Sequence, residues 1–255
     1  MLVFEIGSEL LGVRENAGGR QNRGVQGKPS TDRTGPRRGP AGWFTRPWEP
    51  GLLMRELVVT TFVSLDGVMQ APGGPEEDRE GDFDHGGWVV PYFDDELGRQ
   101  IDEWFAGAED FLLGRGTYEI FAAYWPHVHD EEDNVARALN TRPKHVASRT
   151  LRRVDWEGAS LLGSDLVGAV EELKHRDGGE LQVHGSHGLV QTLLEHDLVD
   201  KLRLMTFPLL LGSGKRLFAD GTVPTGLRLA KSSPTSNGVL VTSYERVGSV
   251  RTGSF

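Results

Sequence analysis

The stretch Phe111-Leu112-Leu113-Gly114-Arg115-Gly116-Thr117-Tyr118-Glu119 predicts a strand that leads directly into a helix. Its three leading apolar residues, which end at a glycine, are typical of a short buried strand. A helical pattern follows over residues 116–124 and stops at Trp125-Pro126, because proline cannot donate the backbone hydrogen bond that would continue the helix. Ligands of α/β proteins bind at such strand-to-helix junctions, so this one is a candidate binding site.

Two interpretations of this junction remain open. Gly114 lets the backbone approach a ligand closely, and the amino terminus of the helix offers unpaired N–H groups to a phosphate. Arg115 adds a positive charge and Thr117 adds a hydroxyl group. The alternative interpretation is a plain tight turn whose arginine is solvated.

Two further junctions carry small and polar residues directly after a strand. Ala147-Ser148-Arg149-Thr150 places two hydroxyl groups beside a guanidinium, which suits a phosphate monoester on a sugar. An exposed loop arginine is the alternative there. Val183-His184-Gly185-Ser186-His187-Gly188 offers a second helix amino terminus to a pyrophosphate, although it does not match the pattern G-x-G-x-x-G.

Three other patterns resemble metal or phosphate sites without matching them. His184 and His187 fall across a strand–helix break with no carboxylate beside them in the sequence. Gly212-Ser213-Gly214-Lys215 lacks the first glycine and the final hydroxyl residue of a phosphate-binding P-loop. The acidic run 127–133 is interpreted as a solvated loop and a helix start, where Asp and Glu suit the helix dipole. The sequence therefore predicts no metal site.

Strands and helices alternate from Met54 onward. The β-branched run 57–63 predicts a buried parallel strand, and Ser236-Asn237-Gly238 predicts a hairpin. Repeated strand–helix–strand units predict an α/β fold of three layers, with a mostly parallel central sheet, helices on both faces and a C-terminal antiparallel hairpin. Ser164 is the predicted cap of the helix that carries Leu166 and Leu173. Predicted strands cover 57–63, 111–114, 144–148, 160–162, 181–183, 202–207, 227–233 and 239–245; predicted helices cover 93–105, 116–124, 131–139, 166–173 and 189–194; and 71–92 is predicted as a long surface loop.

The first 53 residues differ in composition from the rest. They contain ten Gly, five Pro, eight basic and five acidic residues, so their net charge is +3. Because the whole chain has a net charge of −9, residues 54–255 carry −12. Such a segment buries too little apolar surface to offset its ordering entropy. We predict a disordered extension or a mis-translated leader with Met54 as the true start, and a basic nucleic-acid arm is the alternative. Residues 54–247 form the predicted domain and 248–255 a tail.

Composition excludes several classes of function. The chain has no cysteine, which removes disulfides and thiolate chemistry and fits a cytoplasmic protein. The net charge of −9 argues against nucleic acid as a partner. No apolar run approaches the roughly 18 residues of a membrane span, so a membrane partner is not expected.

Six stretches, in order, resemble the dihydrofolate reductase-like superfamily. The resemblance is closest to the reductase domain of riboflavin-biosynthesis deaminase/reductases and its stand-alone relatives, and it extends from Met54 to about Val247. It implies the dihydrofolate reductase-like fold, NADPH as cofactor, a small heterocyclic substrate and a homodimer. The stretches are Phe62-Val63-Ser64-Leu65-Asp66-Gly67, Leu113-Gly114-Arg115-Gly116-Thr117-Tyr118-Glu119, Val146-Ala147-Ser148-Arg149-Thr150, Val183-His184-Gly185-Ser186, Leu198-Val199-Asp200-Lys201-Leu202 and Pro208-Leu209-Leu210-Leu211-Gly212-Ser213-Gly214-Lys215-Arg216-Leu217-Phe218.

The resemblance also implies roles for individual residues. Asp66 is the candidate for substrate binding or proton management, with an Asp-Gly turn as the alternative. Ser186 stands where the family more often has the second glycine of a Gly-Gly pair. The implied cofactor residues are Gly114, Arg115 and Thr117 for phosphates, Ser148, Arg149 and Thr150 for the 2′-phosphate, and Gly185 and Ser186 for the pyrophosphate.

The function that follows is an NADPH-dependent reductase. It is expected to transfer a hydride to a C=N-type bond of a pterin, of a pyrimidine similar to 5-amino-6-(5-phosphoribosylamino)uracil, or of a related heterocycle. A nucleotide-binding protein of the same fold that has lost catalysis is the alternative, and a metal-dependent hydrolase that uses the acidic loops is a third hypothesis.

Overall fold

An eight-stranded sheet lies at the centre of the structure, a computed structural model that describes residues 54–130, 132–220 and 222–255. The predictions for residues 1–53 lie outside this range. The strands are β1 Leu57–Ser64, β2 Ala108–Gly114, β3 Lys144–Ala147, β4 Ala159–Leu161, β5 Glu180–Val183, β6 Lys201–Phe207, β7 Gly226–Pro234 and β8 Leu240–Gly248. Their order across the sheet is β4-β3-β2-β5-β1-β6-β8-β7.

Five helices in the described residues pack against this sheet. They are α1 Asp95–Ala106, α2 Arg115–Tyr124, α3 Asn134–Thr141, α4 Leu166–Lys174 and α5 His187–Glu195. Short 3-10 turns cover Val90–Tyr92 and Trp125–His127. No helix within this part of the chain is long and apolar enough to cross a membrane.

Alternating side chains of β2 show that both faces of the sheet are covered. Leu112 packs in one cluster with residues of α4 and α5. Phe111 and Leu113 pack in another, with residues of α1, α2 and α3. Because successive side chains of a strand point to opposite faces, the helices form two layers with the sheet between them. The predicted three-layer α/β architecture is confirmed.

The pairing is parallel through most of the sheet and antiparallel at its C-terminal end. β1 pairs in parallel with β5 and β6, in register Leu57 with Leu181 and Val59 with Leu202. β8 pairs antiparallel with both β6 and β7. In the β7–β8 turn Gly238 has a φ of +79°, which favours glycine, and Thr235 N–H donates to the Val239 carbonyl over 2.8 Å. The predicted C-terminal hairpin is confirmed.

Buried charges connect the strands at the edge opposite to their carboxyl ends. The Asp110 carboxylate lies 2.9 Å from Arg55 Nη1 and 3.0 Å from His145 Nε2, and Arg55 Nε donates to the Gly179 carbonyl. Burial alone would raise the pKa of Asp110, but the hydrogen bonds from Arg55 and His145 outweigh it and lower that pKa. These contacts join the start of β1 to β2, β3 and the segment before β5.

The cap of α4 and the start of α3 differ from their predictions. Asp165, not Ser164, caps α4, because its carboxylate accepts from the Gly168 N–H over 3.0 Å. Residue 131 lies outside the described range, and α3 begins only at Asn134, since Asp133 accepts from the Ala136 N–H at 2.9 Å. In both cases a carboxylate next to the first helical residue is the cap.

Asp165→Ala is expected to lower the free energy of unfolding by about 1 kcal/mol, the usual loss when a helix N-cap is removed. Ser164→Ala is the matched control, because Ser164 is exposed and makes no cap to α4. Urea denaturation of both variants beside the wild type measures the difference. A larger loss from Ser164→Ala than from Asp165→Ala would contradict this assignment of the cap.

The loop 71–92 is more buried than a surface loop. Trp88 and Val89 are 7% and 0% exposed, and Phe83 is also buried. The Trp88 indole donates to the Gln70 carbonyl over 2.8 Å. These side chains pack in a third cluster with Met205 of β6 and Val241 of β8. The loop is therefore a fixed part of the structure beside the carboxyl ends of the strands.

Candidate active site

A cavity of about 1270 Å³ opens at the carboxyl ends of the parallel strands. Its walls come from β1, α1, the loop after β1, and the junctions that follow β2, β3 and β5. The junctions meet there because parallel strands all end at the same edge of the sheet. Every residue predicted to bind cofactor lies in this lining, namely Gly114, Arg115, Thr117, Ser148, Arg149, Thr150, Gly185 and Ser186.

The junctions after β2 and β5 are in direct backbone contact. Gly114 N–H donates to the Gly185 carbonyl over 3.0 Å. A Cβ on Gly114 would lie 2.6 Å from Ser186 Oγ and 2.7 Å from Ser186 N. Gly185 has a φ of +129°, and a Cβ there would lie 2.6 Å from Thr117 Oγ1. Both positions therefore require glycine.

The Ser186 hydroxyl caps the neighbouring helix rather than its own. Its Oγ accepts from the Thr117 N–H over 3.1 Å, although Ser186 is the N-cap residue of α5 and makes no side-chain cap to it. The amino ends of α2 and α5 are thereby held side by side at the cavity. First-turn N–H groups have no partner within their own helix, so two positive helix ends face the same space. This arrangement suits a diphosphate.

The junction after β3 is a turn built around Ser148. Its Oγ accepts from the N–H groups of Thr150, at 3.2 Å, and Leu151, at 3.0 Å. The side chains of Arg149 and Thr150 are exposed. Arg149 forms no ion pair with any residue in the described ranges, so its guanidinium is available to an anion. Arg115, in contrast, lies 3.5 Å from Glu119 one turn along α2.

Asp66 lies outside the lining of this cavity. Its carboxylate accepts from Ser64 Oγ at 2.5 Å, from Gly212 N–H at 2.8 Å and from Leu211 N–H at 3.1 Å. Burial alone would raise the pKa of Asp66, but these hydrogen bonds lower it to about 2. The structure thus does not bring Asp66 together with the predicted cofactor residues. Its contacts are those of a turn that fastens the loop after β6.

Lys215 and the loop after β1 form another part of the cavity lining. The sequence motifs did not indicate that these residues would line the cavity. Lys215 Nζ lies 2.6 Å from an Asp78 carboxylate oxygen and 2.7 Å from one of Glu80. The Lys215 N–H donates to Gln70 Oε1, and the Gln70 amide nitrogen donates to the carbonyls of Asp78 and Glu80. These partners are more than 130 positions apart in the sequence, so no local pattern identifies them.

Glu77 adds a carboxyl group to the same wall. Its Oε2 accepts from the N–H groups of Gly73, at 2.6 Å, and Gly74, at 3.1 Å. Burial raises the pKa of Glu77 above its usual value, although these hydrogen bonds act in the opposite direction. Glu77 is therefore a cavity-lining group that retains a proton at higher pH than an ordinary glutamate.

His184 lies in the lining as a neutral imidazole. Its ring stacks on Phe105 at a centroid distance of 4.6 Å. Burial, with a smaller effect of the Arg203 charge, lowers the pKa of His184 to about 3. Nε2 lies 3.2 Å from Gln182 Oε1, and the Gln182 amide nitrogen donates to the Trp104 carbonyl, so the network assigns the ring proton to Nε2. Within the described ranges, no three His, Asp or Glu side chains are grouped as a metal site.

Comparison with known proteins finds relatives along most of the domain. The model of the RibD C-terminal domain family matches residues 55–241. The uncharacterized protein YyaP of Bacillus subtilis (strain 168) is 26% identical over 195 residues, which are 76% of this chain and 96% of that protein. The uncharacterized protein YwjB of the same strain is 25% identical over 178 residues, 69% of this chain and 89% of that protein.

Solved structures share the fold at lower sequence identity. A putative riboflavin biosynthesis protein from Shewanella sp. PV-4 has a TM-score of 0.57 at 21% identity, over 75% of this chain and 98% of that chain. A pyrimidine reductase-like protein from Corynebacterium diphtheriae has a TM-score of 0.54 at 14% identity, over 76% of this chain and 92% of that chain. At these identities the likeness concerns the fold.

A mostly parallel α/β sheet whose strand-to-helix junctions meet at one cavity is the architecture that the sequence predicts, and it defines an α/β protein with a ligand site at the carboxyl ends of its strands. More specifically, the chain belongs to the RibD C-terminal domain family, since the family model matches residues 55–241 of it. The predicted resemblance to the riboflavin-biosynthesis reductase domain is confirmed.

Proposed function

We propose that this protein is an NADPH-dependent reductase that transfers a hydride to a C=N-type bond of a pterin, a pyrimidine or a related heterocycle. The observation that carries the proposal is the convergence of the junctions after β2, β3 and β5 on one cavity. Its volume of about 1270 Å³ exceeds the range of about 300–1,000 Å³ typical for a single ligand. A dinucleotide and a small substrate could occupy it together.

The residues present fit such a dinucleotide. The amino ends of α2 and α5, with Arg115 and Thr117, would bind the pyrophosphate, because helix N–H groups and a cation favour negative charge. Arg149 and the hydroxyl of Thr150 would bind the 2′-phosphate, while Ser148 holds the turn that presents them. Family membership supports the same assignment.

The bound cofactor would supply the hydride, and this chain would position the acceptor and supply a proton. Aromatic side chains in the lining, such as Phe105 and Phe121, would hold a flat ring and exclude water. The Glu77 carboxyl, whose pKa is raised, is the candidate to hold the proton on the substrate side. For Asp66 we propose a positioning role through the backbone of Leu211 and Gly212.

The test is oxidation of NADPH, followed at 340 nm, by the wild-type protein with a panel of oxidised pterins and pyrimidines. We expect NADPH to be oxidised only when a substrate is added, and we expect no oxidation when NADH is supplied instead of NADPH.

The position of Asp66 outside the cavity favours one second candidate, a binding protein without catalysis. Saturable NADPH binding with no oxidation by any member of the panel would support that candidate. Homodimerisation and a cytoplasmic location also remain proposals, supported by family resemblance and by the lack of cysteine.

A further inference from the structure

His184 is a cavity-lining residue that the assignment of cofactor residues leaves unused. It directly follows β5 and lies in the lining at the carboxyl ends of the strands. Its ring stacks on Phe105 of α1 at a centroid distance of 4.6 Å, and the rings of Phe111 and Phe121 lie 5.8 Å and 6.5 Å away. The imidazole therefore lies beside the aromatic side chains that the proposed function assigns to the substrate ring.

A chain of polar groups fixes the tautomer of this imidazole. Arg203 donates two hydrogen bonds to the Glu180 carboxylate, at 2.7 Å and 2.6 Å. The Gln182 amide nitrogen donates to Glu180 Oε2 over 2.9 Å and to the Trp104 carbonyl over 2.6 Å. Because both partners of that nitrogen are acceptors, Gln182 presents its Oε1 to the imidazole. His184 Nε2 must then carry the proton and donate it to Gln182 Oε1 over 3.2 Å.

The other ring nitrogen of His184 is an acceptor that points to no protein donor. Since the proton is on Nε2, Nδ1 carries a lone pair. Within the described residues, Nδ1 has no hydrogen-bond partner, and it is not among the unpartnered polar atoms that are closed off from solvent. Burial lowers the pKa of His184 to about 3, so the ring gains no second proton at neutral pH. Nδ1 is thus a fixed hydrogen-bond acceptor that is open to the cavity.

Apolar surroundings make this acceptor selective. A flat ligand that packs against Phe105 and Phe121 displaces the solvent that would otherwise hydrate Nδ1. A ligand with an N–H group at this point replaces the lost hydrogen bond. A ligand that presents a carbonyl, a methyl group or an anion leaves Nδ1 desolvated and unpaired. Sites whose own polar group would remain unpaired reject the wrong ligand strongly.

We propose that His184 determines the specificity of the substrate site by accepting, at Nδ1, a hydrogen bond from an N–H group of a heterocyclic substrate. The inference rests on the proposed function, because NADPH at the amino ends of α2 and α5 leaves the side of α1 to the substrate. The site then selects heterocycles with a free N–H group over analogues in which every ring nitrogen of that kind is alkylated.

The test is isothermal titration calorimetry on the full chain saturated with NADP⁺. One pair of probes is lumazine and 1,3-dimethyllumazine; a second pair is quinazoline-2,4-dione and its 1,3-dimethyl derivative. The methylated compound of each pair has no N–H group. In at least one pair we expect the parent compound to bind about tenfold or more tightly, a difference of about 1.4 kcal/mol. A smaller preference in both pairs, or heat from none of the four compounds, would overturn the inference.

His184→Phe tests whether the imidazole causes the preference. Phenylalanine keeps a ring that can stack on Phe105 and removes Nδ1. We expect the parent compound to bind about tenfold more weakly to this variant, while the affinity for the dimethyl derivative changes less than about twofold. A preference that persists in His184→Phe would come from the size of the methyl groups and would contradict the assigned role.

His196→Phe is the matched control for this variant. His196 is exposed at the end of α5 and lies outside the lining, so the preference should equal that of the wild type. Because His184→Phe also leaves Gln182 Oε1 without its donor, urea denaturation checks that the variant is folded. The comparison of the four probes on the wild type decides the inference even if the variant does not fold.

The two proposals fail in different ways. If NADP⁺ does not bind to the wild type, the proposed function fails. If NADP⁺ binds and the parent compounds are not preferred, the proposed function stands and only the inference about His184 fails. His184→Phe is expected to change the affinity for NADP⁺ less than about twofold. A larger loss of NADP⁺ affinity with an unchanged preference among the probes would assign Nδ1 to the cofactor and overturn its role in substrate specificity.

Discussion

Gly114→Ala is expected to weaken NADPH binding about 100-fold and to lower the free energy of unfolding by about 3 kcal/mol. The new Cβ would lie 2.6 Å from Ser186 Oγ and 2.7 Å from Ser186 N, so the junctions after β2 and β5 must move apart. That movement breaks the Gly114-to-Gly185 hydrogen bond and separates the two helix ends that the pyrophosphate needs. Nicotinamide fluorescence titration and urea denaturation measure the two effects.

Gly98→Ala is the matched control for this variant. Gly98 lies within α1, in the cavity lining but on a different element from the junctions after β2 and β5, and a Cβ there would have only an ordinary contact, 3.9 Å from Phe93. Alanine in a helix interior is more favourable than glycine by up to about 1 kcal/mol, so stability should rise slightly while NADPH affinity stays the same. If Gly114→Ala behaved like Gly98→Ala, the close contact between the junctions would not be what forms the cofactor site.

Arg149→Ala is expected to weaken the binding of NADPH about 30-fold, which corresponds to about 2 kcal/mol of binding free energy. The same substitution is expected to change the affinity for NADH less than about twofold. The Arg149 guanidinium is exposed in the cavity lining and forms no ion pair in the described part of the chain, so removing it releases no internal partner. Only the 2′-phosphate distinguishes the two cofactors, and a charge-assisted hydrogen bond to it accounts for a difference of this size.

Arg152→Ala controls for a general change in charge. Arg152 is exposed on the same loop and lies outside the lining, so its loss should change NADPH affinity less than about twofold. The same fluorescence titration, performed with NADPH and NADH for both variants, gives the comparison. If Arg149→Ala weakened the binding of NADPH and of NADH equally, the turn built around Ser148 would not be the binding site of the 2′-phosphate.

Local patterns were sufficient to predict the architecture and the three junctions. The apolar run before Gly114 marks a strand, and the glycine is required because Ser186 packs against it. Alternation of strands and helices predicts a parallel sheet, and such a sheet places the ends of its strands at one edge. For that reason residues as far apart as Arg115 and Ser186 could be expected in one cavity before their contacts were known.

Contacts between distant segments explain what local patterns could not predict. Lys215 was compared with a P-loop and lies in the last of the six stretches that resemble the family, but neither pattern indicates that it pairs with Asp78 and Glu80 from the loop after β1. The hydrogen bonds from Leu211 and Gly212 that engage the Asp66 carboxylate come from a loop about 145 positions away. The burial of Trp88 follows from packing on Phe207, with ring centroids 5.3 Å apart, which the Gly- and Pro-rich composition of its loop does not reveal.

The proposed function requires the cavity at the three junctions to bind NADPH in preference to NADH. Titration of the wild-type chain with each cofactor, followed by the enhancement of nicotinamide fluorescence, tests it most directly. We expect saturable enhancement with NADPH at a dissociation constant about 30-fold or more below that of NADH, in line with the expected contribution of Arg149. No enhancement with NADPH, or equal affinity for the two cofactors, would contradict it.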